Sequence, residues 1–461
     1  MNDPIARFES NVRGYARSFP AVFESAVGST MTDQAGREYI DFFCGAGSLN
    51  YGHNHRGAKE ALLKYIAGDG IQHSLDMVTV AKAEFVESFR RTILHPRDLN
   101  YRLQFTGPTG TNAIEAAIKL AKKQTGRSHV VAFTNAYHGH SLGSLALTGN
   151  QYYHHENYGS HNNVTHLPFD GYLRGVDTSS IFEKMLFDRG SGLPMPAAVI
   201  LETIQGEGGV NVAGDGWLRQ IAEICRVHDI RLIIDDIQVG NGRSGKFFSF
   251  EHAGIVPDMV CLSKSIGGGL PMSLVLIKPE FDVWRPGEHT GTFRGNNLAF
   301  VAAAAVLKHW ESSEFETEIR QRGDIIRERF ESIAARHQDK GITVRGRGMI
   351  WGLDLQCGDR ASAITRQAFK SGLLIESAGV RDHVLKAMPA LTIEIDLLQA
   401  GLEVLETAIE QVLAQETLVQ TAPLETPVAI PESNTAKTPI VPILDTTTGL
   451  LGITSTDLSL S

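Results

Sequence analysis

Lys264 stands in the stretch DMVCLSKSIGGGLP and Asp235 closes the apolar run RLIID, so each falls at the end of a segment that reads as a β-strand. A strand-end lysine followed shortly by glycines projects its amine into space that a thin backbone leaves open. Such an amine condenses with an aldehyde to a Schiff base, and a buried carboxylate keeps a pyridine nitrogen protonated. Pyridoxal phosphate needs both groups. Taken singly, Lys264 also fits a solvated loop lysine and Asp235 a turn cap. Side by side at the carboxyl edge of an open sheet, where α/β folds bind ligands, they describe a cofactor site.

A phosphorylated cofactor also needs a seat for its anion. GPTGTNAIEAAIKLAKK (107–123) is a glycine-rich turn entering a helix whose apolar face is Ile114, Ala117, Ile118 and Ala121. The free N–H groups and positive dipole end of such a helix suit phosphate. Gly110 permits close backbone approach and Thr111 adds a hydroxyl donor. No Gly-Lys-Ser/Thr follows at the offset of a nucleotide P-loop, and Thr109 or Asn112 fits a helix cap equally well.

The elements that must position these groups are readable in outline. Apolar strands such as HVVAF, AAVILE, RLIID and MVCLS alternate with helices, which predicts an α/β domain over residues 56–300, with a mainly parallel sheet between helices. Residues 1–55 form an amino-terminal segment, expected to be part of the smaller domain and of the substrate wall, with a short strand, EYIDFF, and a glycine-rich turn, CGAGSLNYGH. A helix from about Asn297 leads into a smaller α+β domain over 301–416, with strands ITVRG and MIWGLDLQ and a closing helix LLQAGLEVLETAIEQVLAQE. Residues 417–461, rich in Thr, Pro and Ser, read as a flexible tail whose aliphatic patches offer docking to another protein as an alternative use.

The segment LIIDDIQVGNGRSGKFFSFEHAGIVPDMVCLSKSIGGGLP resembles the signature region of class III (ω-type) aminotransferases, of the pyridoxal-phosphate transferase fold type I, and the resemblance runs from about Phe8 to about Leu413. ESNVRGYARSFP, IQHSLDM, QFTGPTGTNAIEAA and PGEHTGTFRGNNLAF narrow it toward the diaminobutyrate:2-oxoglutarate transaminases of ectoine and siderophore pathways. This resemblance implies that Lys264 bonds the cofactor and shuttles a proton, that Asp235 holds the ring nitrogen, and that Gln238 meets the ring hydroxyl. It implies Tyr137 and Ile237 on the two ring faces, His138 beside the ring, and Gly110 and Thr111 at the phosphate. Tyr137 and Ile237 fit ordinary core positions as well. Thr292 matches a residue that reaches the phosphate of a neighbouring subunit's cofactor, which implies a homodimer, or a larger assembly, with shared active sites.

Glu202 and Glu207, in LETIQGEGGV, match two family carboxylates, Glu207 being the one that pairs with a small-domain arginine or releases it to bind a dicarboxylate. The chain departs from the family here. Lys386 stands where many relatives have that arginine, offering a point charge without the bidentate fork, and it also fits an ordinary surface lysine. His140 replaces an arginine that grips a carboxylate in the ornithine and γ-aminobutyrate enzymes, which argues against those substrates. Asp236 stands where glutamate is usual.

Composition agrees with a cytoplasmic enzyme. The chain of 461 residues, 42% apolar, can bury two domain cores. A net charge of −9 without a basic run disfavours nucleic acid. Neither a signal-peptide core nor a membrane-length apolar stretch is found in the sequence. The four cysteines and 17 histidines lack metal-ligand spacing, so no metal is expected. The expected reaction interconverts L-2,4-diaminobutyrate plus 2-oxoglutarate and L-aspartate 4-semialdehyde plus L-glutamate. Another class III ω-aminotransferase, a semialdehyde aminomutase, and a non-catalytic cofactor-binding scaffold are the alternatives.

Overall fold

Alternate residues of the central strands separate into two apolar cores. Leu232 and Ile234 join one cluster with Trp217, Leu218 and Ile221 of the helix Asp215–Val227. Ile233 joins another with Ala113, Ile114 and Ala117 of the helix Gly110–Thr125. The period of two along a strand therefore buries both faces of the sheet under helices. The computed structural model describes residues 4–158 and 163–421.

Seven strands form the central sheet in the order Arg102–Phe105, Leu274–Ile277, Met259–Leu262, Arg231–Asp235, Ala198–Leu201, Val130–Phe133 and Val164–Leu167. Leu274–Ile277 runs antiparallel to both neighbours, and every other adjacent pair is parallel, as the alternating pattern predicts. Arg231–Asp235 pairs directly with Met259–Leu262, with Asp235 opposite Cys261. That register brings Asp235 and Lys264 to one edge.

A second, four-stranded antiparallel sheet holds Thr343–Arg347, Ile350–Asp354, Val384–Ala387 and Glu376–Ala378 in that order. A third joins Phe23–Val27, Thr30–Asp33 and Glu38–Asp41 to Leu373–Leu374, so the amino-terminal segment completes a sheet with a strand from late in the chain. The buried guanidinium of Arg243 ties these regions together, donating to Asn50 Oδ1 at 2.6 Å and to the carbonyls of Met349 at 3.0 Å and Pro389 at 2.5 Å. Residues Met1–Gln415 group as one compact unit and Glu416–Ser461 as another. Within the first we propose the cofactor domain as 56–300 and the smaller domain as 301–416, because all seven central strands lie in the former. The closing helix is Ile395–Thr421. The expectation of a flexible tail, with its aliphatic patches, otherwise lies outside the described residues. Among the described residues no helix is long and apolar enough to cross a membrane.

Candidate active site

Lys264 opens a short 3-10 turn, Lys264–Gly267, immediately beyond its strand and adopts a left-handed backbone, φ +51°. That conformation is costly for a residue with a Cβ, so the surrounding structure must enforce it. The turn directs Nζ to the carbonyl of Ala46 at 2.9 Å, in the tight segment Cys44–Gly47 of the amino-terminal region. Burial pulls the Lys264 amine below the ordinary lysine range; Glu207 opposes this shift and the Lys386 ammonium adds to it. A larger fraction of neutral amine results, the form that attacks a carbonyl.

Asp235, 4% exposed, receives His138 Nδ1 at 2.7 Å on Oδ2 and the Ile237 N–H at 3.2 Å on Oδ1. Asp235 and Ile233 share one side of the pleat, the side covered by the helix Gly110–Thr125. Sheet and helix therefore deliver the carboxylate and the helix start to a single cavity of about 320 Å³. It is lined by Gly110, Thr111, Tyr137, His138, Glu202, Glu207, Asp235, Ile237, Gln238 and Lys264, together with Thr109, Gly139 and His140.

At Gly110 an added Cβ would lie 3.0 Å from Ile237 Cδ1, so the isoleucine side chain would have to give way by a few tenths of an ångström. Thr109 caps the helix and Asn112 Oδ1 receives its backbone N–H, which realises the capping use. The Thr111 hydroxyl is already engaged with Ser141 Oγ at 2.5 Å and Ser144 Oγ at 2.8 Å. Glu202 accepts the Tyr137 backbone N–H at 3.0 Å, and burial, then Asp235, holds its carboxyl well above the usual carboxylate range. Gln238 Nε2 donates to Ala46 O at 3.1 Å and to Glu207 Oε1 at 2.8 Å. Gly206 makes room for it, because a Cβ there would collide with Gln238 Oε1.

Two sequence-nominated residues do not line this cavity. Thr292 is exposed on a turn. Lys386 is fully buried, which corrects the surface-lysine reading: its ammonium lies 2.7 Å from Glu207 Oε1 and 3.1 Å from Glu376 Oε1. Burial works against the Lys386 charge, yet Glu207 and then Glu376 outweigh it and hold the amine above its ordinary range. Burial alone would raise Glu207, but Lys386, and after it Lys264, bring it to about 2. Glu376 was not nominated from sequence. It faces Lys386 across paired antiparallel strands, and the hairpin signal SAGVRD between the two short apolar runs was the clue.

The site fits pyridoxal phosphate. It joins a half-buried amine, a carboxylate fixed by a histidine, and a helix start in one cavity. Two buried polar atoms of the wall, His138 Nε2 and Gln238 Oε1, have no hydrogen-bond partner among the described residues, as expected of groups that meet a polar ligand.

Comparison with known proteins agrees with this geometry. The family model for Aminotransferase class-III matches residues 13–409. A diaminobutyrate–2-oxoglutarate transaminase of Wolinella succinogenes is 52% identical over 89% of this chain and 96% of its own. One from Vibrio parahaemolyticus is 52% identical over 90% and 98%. Among solved structures, an ornithine aminotransferase of Toxoplasma gondii superposes with a TM-score of 0.77 at 24% identity, covering 89% of this chain and 94% of that one. An N-acetylornithine aminotransferase of Stenotrophomonas maltophilia gives 0.70 at 27%, covering 89% and 99%.

Proposed function

The chain belongs to the class III aminotransferases, which are pyridoxal-phosphate enzymes, and from that membership we propose that it interconverts L-2,4-diaminobutyrate plus 2-oxoglutarate and L-aspartate 4-semialdehyde plus L-glutamate. What carries this reading is the 52% identity, over nearly the whole chain, to relatives named for that reaction. The replacement of arginine by His140 in the wall is consistent with it.

In this reading Lys264 holds the cofactor through its amine. With the cofactor bound, Lys264 Nζ would be the base that takes the proton from the reacting substrate carbon and the acid that gives it back. The lowered basicity of that amine suits both tasks. Asp235 keeps the ring nitrogen protonated, and His138 fixes the orientation of the carboxylate through its 2.7 Å hydrogen bond. Tyr137 and Ile237 enclose the ring, and Gln238 addresses its hydroxyl. The helix start at Gly110 and Thr111 receives the phosphate. Bound there, pyridoxal phosphate supplies the electron sink for the charge left on the substrate carbon. Burial and the neighbouring Asp235 disfavour a second charge on Glu202.

Glu207 and Lys386 form the gate. With Glu207 on Lys386 the pocket accepts an amine donor, and with Glu207 withdrawn the ammonium is released to a dicarboxylate. The exposure of Thr292 supports a role in another subunit's site, and hence a homodimer. We assign the protein to the cytoplasm and its diamine to ectoine or siderophore assembly, on the strength of the motifs shared with that subgroup.

The test is amino transfer by the purified protein, with products identified by mass spectrometry. Glutamate formed from diaminobutyrate only when 2-oxoglutarate is present is the expected result. Isomerisation of a semialdehyde without added keto acid identifies a mutase instead, and no turnover after cofactor addition overturns the reading.

A further inference from the structure

Beside the cofactor cavity lies a larger one of about 560 Å³, and Tyr137 and Glu207 line both. Glu376 lines only the second, together with Tyr15, Arg17 and Arg366. Contacts run without a break from one cavity to the other. Lys264 and Gln238 share the Ala46 carbonyl, Gln238 donates to Glu207, and Glu207 and Glu376 flank Lys386.

The charges along this path do not balance. One buried ammonium faces two carboxylates, and Glu207 has the better share, with Lys386 at 2.7 Å and Gln238 at 2.8 Å. Glu376 is 6% exposed, and its contact with Lys386, 3.1 Å at Oε1, is longer than the 2.7 Å contact that Glu207 makes with the same ammonium. Its position is not accidental, because the strand register sets Glu376 directly opposite Lys386. A buried carboxylate short of donors is costly unless a ligand completes it. The wall offers both signs, since Arg17 and Arg366 stand in the same cavity. A zwitterionic amino-acid head, carrying an ammonium and a carboxylate, matches that arrangement.

We propose that Glu376 is a specificity-determining residue that receives the second ammonium of a diamino acid whose other amine reacts at Lys264. This rests on the transaminase reading above and names the group that selects its amine donor. Glu376 therefore separates a donor with two amines from a monoamine of similar length. Burial, only partly offset by Lys386, holds the empty carboxyl near 7, and an arriving ammonium draws it to the ionised form. The charged groups that face it are Lys386, Glu207 and Lys264, with the Tyr15 phenol beside them.

The test is Glu376→Gln in the cofactor-loaded enzyme, with Glu376→Asp as a second variant and melting temperature as the check on folding. KM for L-2,4-diaminobutyrate should rise about 30-fold, the loss of one charge-assisted hydrogen bond, and its ratio to KM for L-glutamate should rise by about 10-fold or more. Calorimetric binding of diaminobutyrate to a Lys264→Ala background, which cannot turn over, should weaken by a similar factor on adding Glu376→Gln. Equal effects on both donors, or a loss confined to glutamate, would make Glu376 a structural prop for Lys386 and overturn the proposal. If the unmodified enzyme ignores diaminobutyrate but accepts glutamate, the substrate reading fails first, and the two failures are distinguishable.

Discussion

The two ends of the active site are built differently. At the cofactor end, Lys264, Asp235 and the helix start at Gly110 all belong to one sheet and its covering helix, and parallel pairing of neighbouring strands brings them together. At the substrate end, Glu207 comes from the turn joining the paired strands Ile204–Gln205 and Asn211–Val212, and Lys386 and Glu376 come from two strands of another sheet. The first arrangement makes one rigid seat for an invariant cofactor. The second makes a charge cluster with two carboxylates to one ammonium, in which small changes of partner alter what binds. Chemistry is fixed where the backbone is most constrained, and selectivity where ion pairs can be exchanged.

The largest effect that would break this division is Lys264→Ala, expected to lower turnover by about 10⁴-fold and to remove the visible absorbance of bound cofactor. Residual activity near the unmodified level would mean that the amine is not essential. Asp235→Asn should keep the cofactor and lose about 100-fold in kcat, comparable to deleting one preorganised electrostatic partner. Stopped-flow half-reactions with glutamate read this directly. At the other end, Lys386→Met leaves Glu207 and Glu376 facing each other, and denaturant unfolding should show a loss of about 2–3 kcal/mol, moderated by proton uptake on Glu376.

Glu376 and Glu207 also predict opposite pH slopes. The Glu376 carboxyl is raised from 4.5 to about 7, so its contribution is fully present below 4.5 and declines as pH rises through 7. Glu207 is lowered from 4.5 to about 2, so its contribution is present above 4.5 and is lost as pH falls toward 2. The difference in melting temperature between Glu376→Gln and the unmodified protein should shift in favour of the variant as pH rises from 4.5 to 7, and should stay constant if Glu376 has no such shift. The smallest effect is Gly110→Ala, which crowds Ile237 and should weaken cofactor binding about 10-fold at little cost to the fold.

The same contrast explains what was legible in the sequence. The cofactor end could be read because its residues are consecutive with their elements. Asp235 closes a strand, Lys264 follows one, and Gly110 opens a helix, so periodicity alone places them at a common edge. The substrate end required the register of two short strands, which the turn SAGVRD marks as a hairpin without fixing which residues pair. Lys386 fits a surface lysine when KAM is read by itself, yet it is buried because its strand lies between Ile350–Asp354 and Glu376–Ala378. Glu376 escaped notice for the same reason. Its partner is ten positions away in sequence and adjacent only once the hairpin pairs. The Ala46 carbonyl was also invisible, since its role depends on the left-handed backbone of residues 44–47.

The central claim is tested most directly by following the absorbance of the purified, cofactor-loaded protein while L-2,4-diaminobutyrate, L-glutamate, ornithine and γ-aminobutyrate are added separately. The account predicts that diaminobutyrate and glutamate each convert the yellow form to the amine form of the cofactor, and that ornithine and γ-aminobutyrate leave it unchanged. A yellow protein that ignores diaminobutyrate, or answers ornithine equally well, would contradict it.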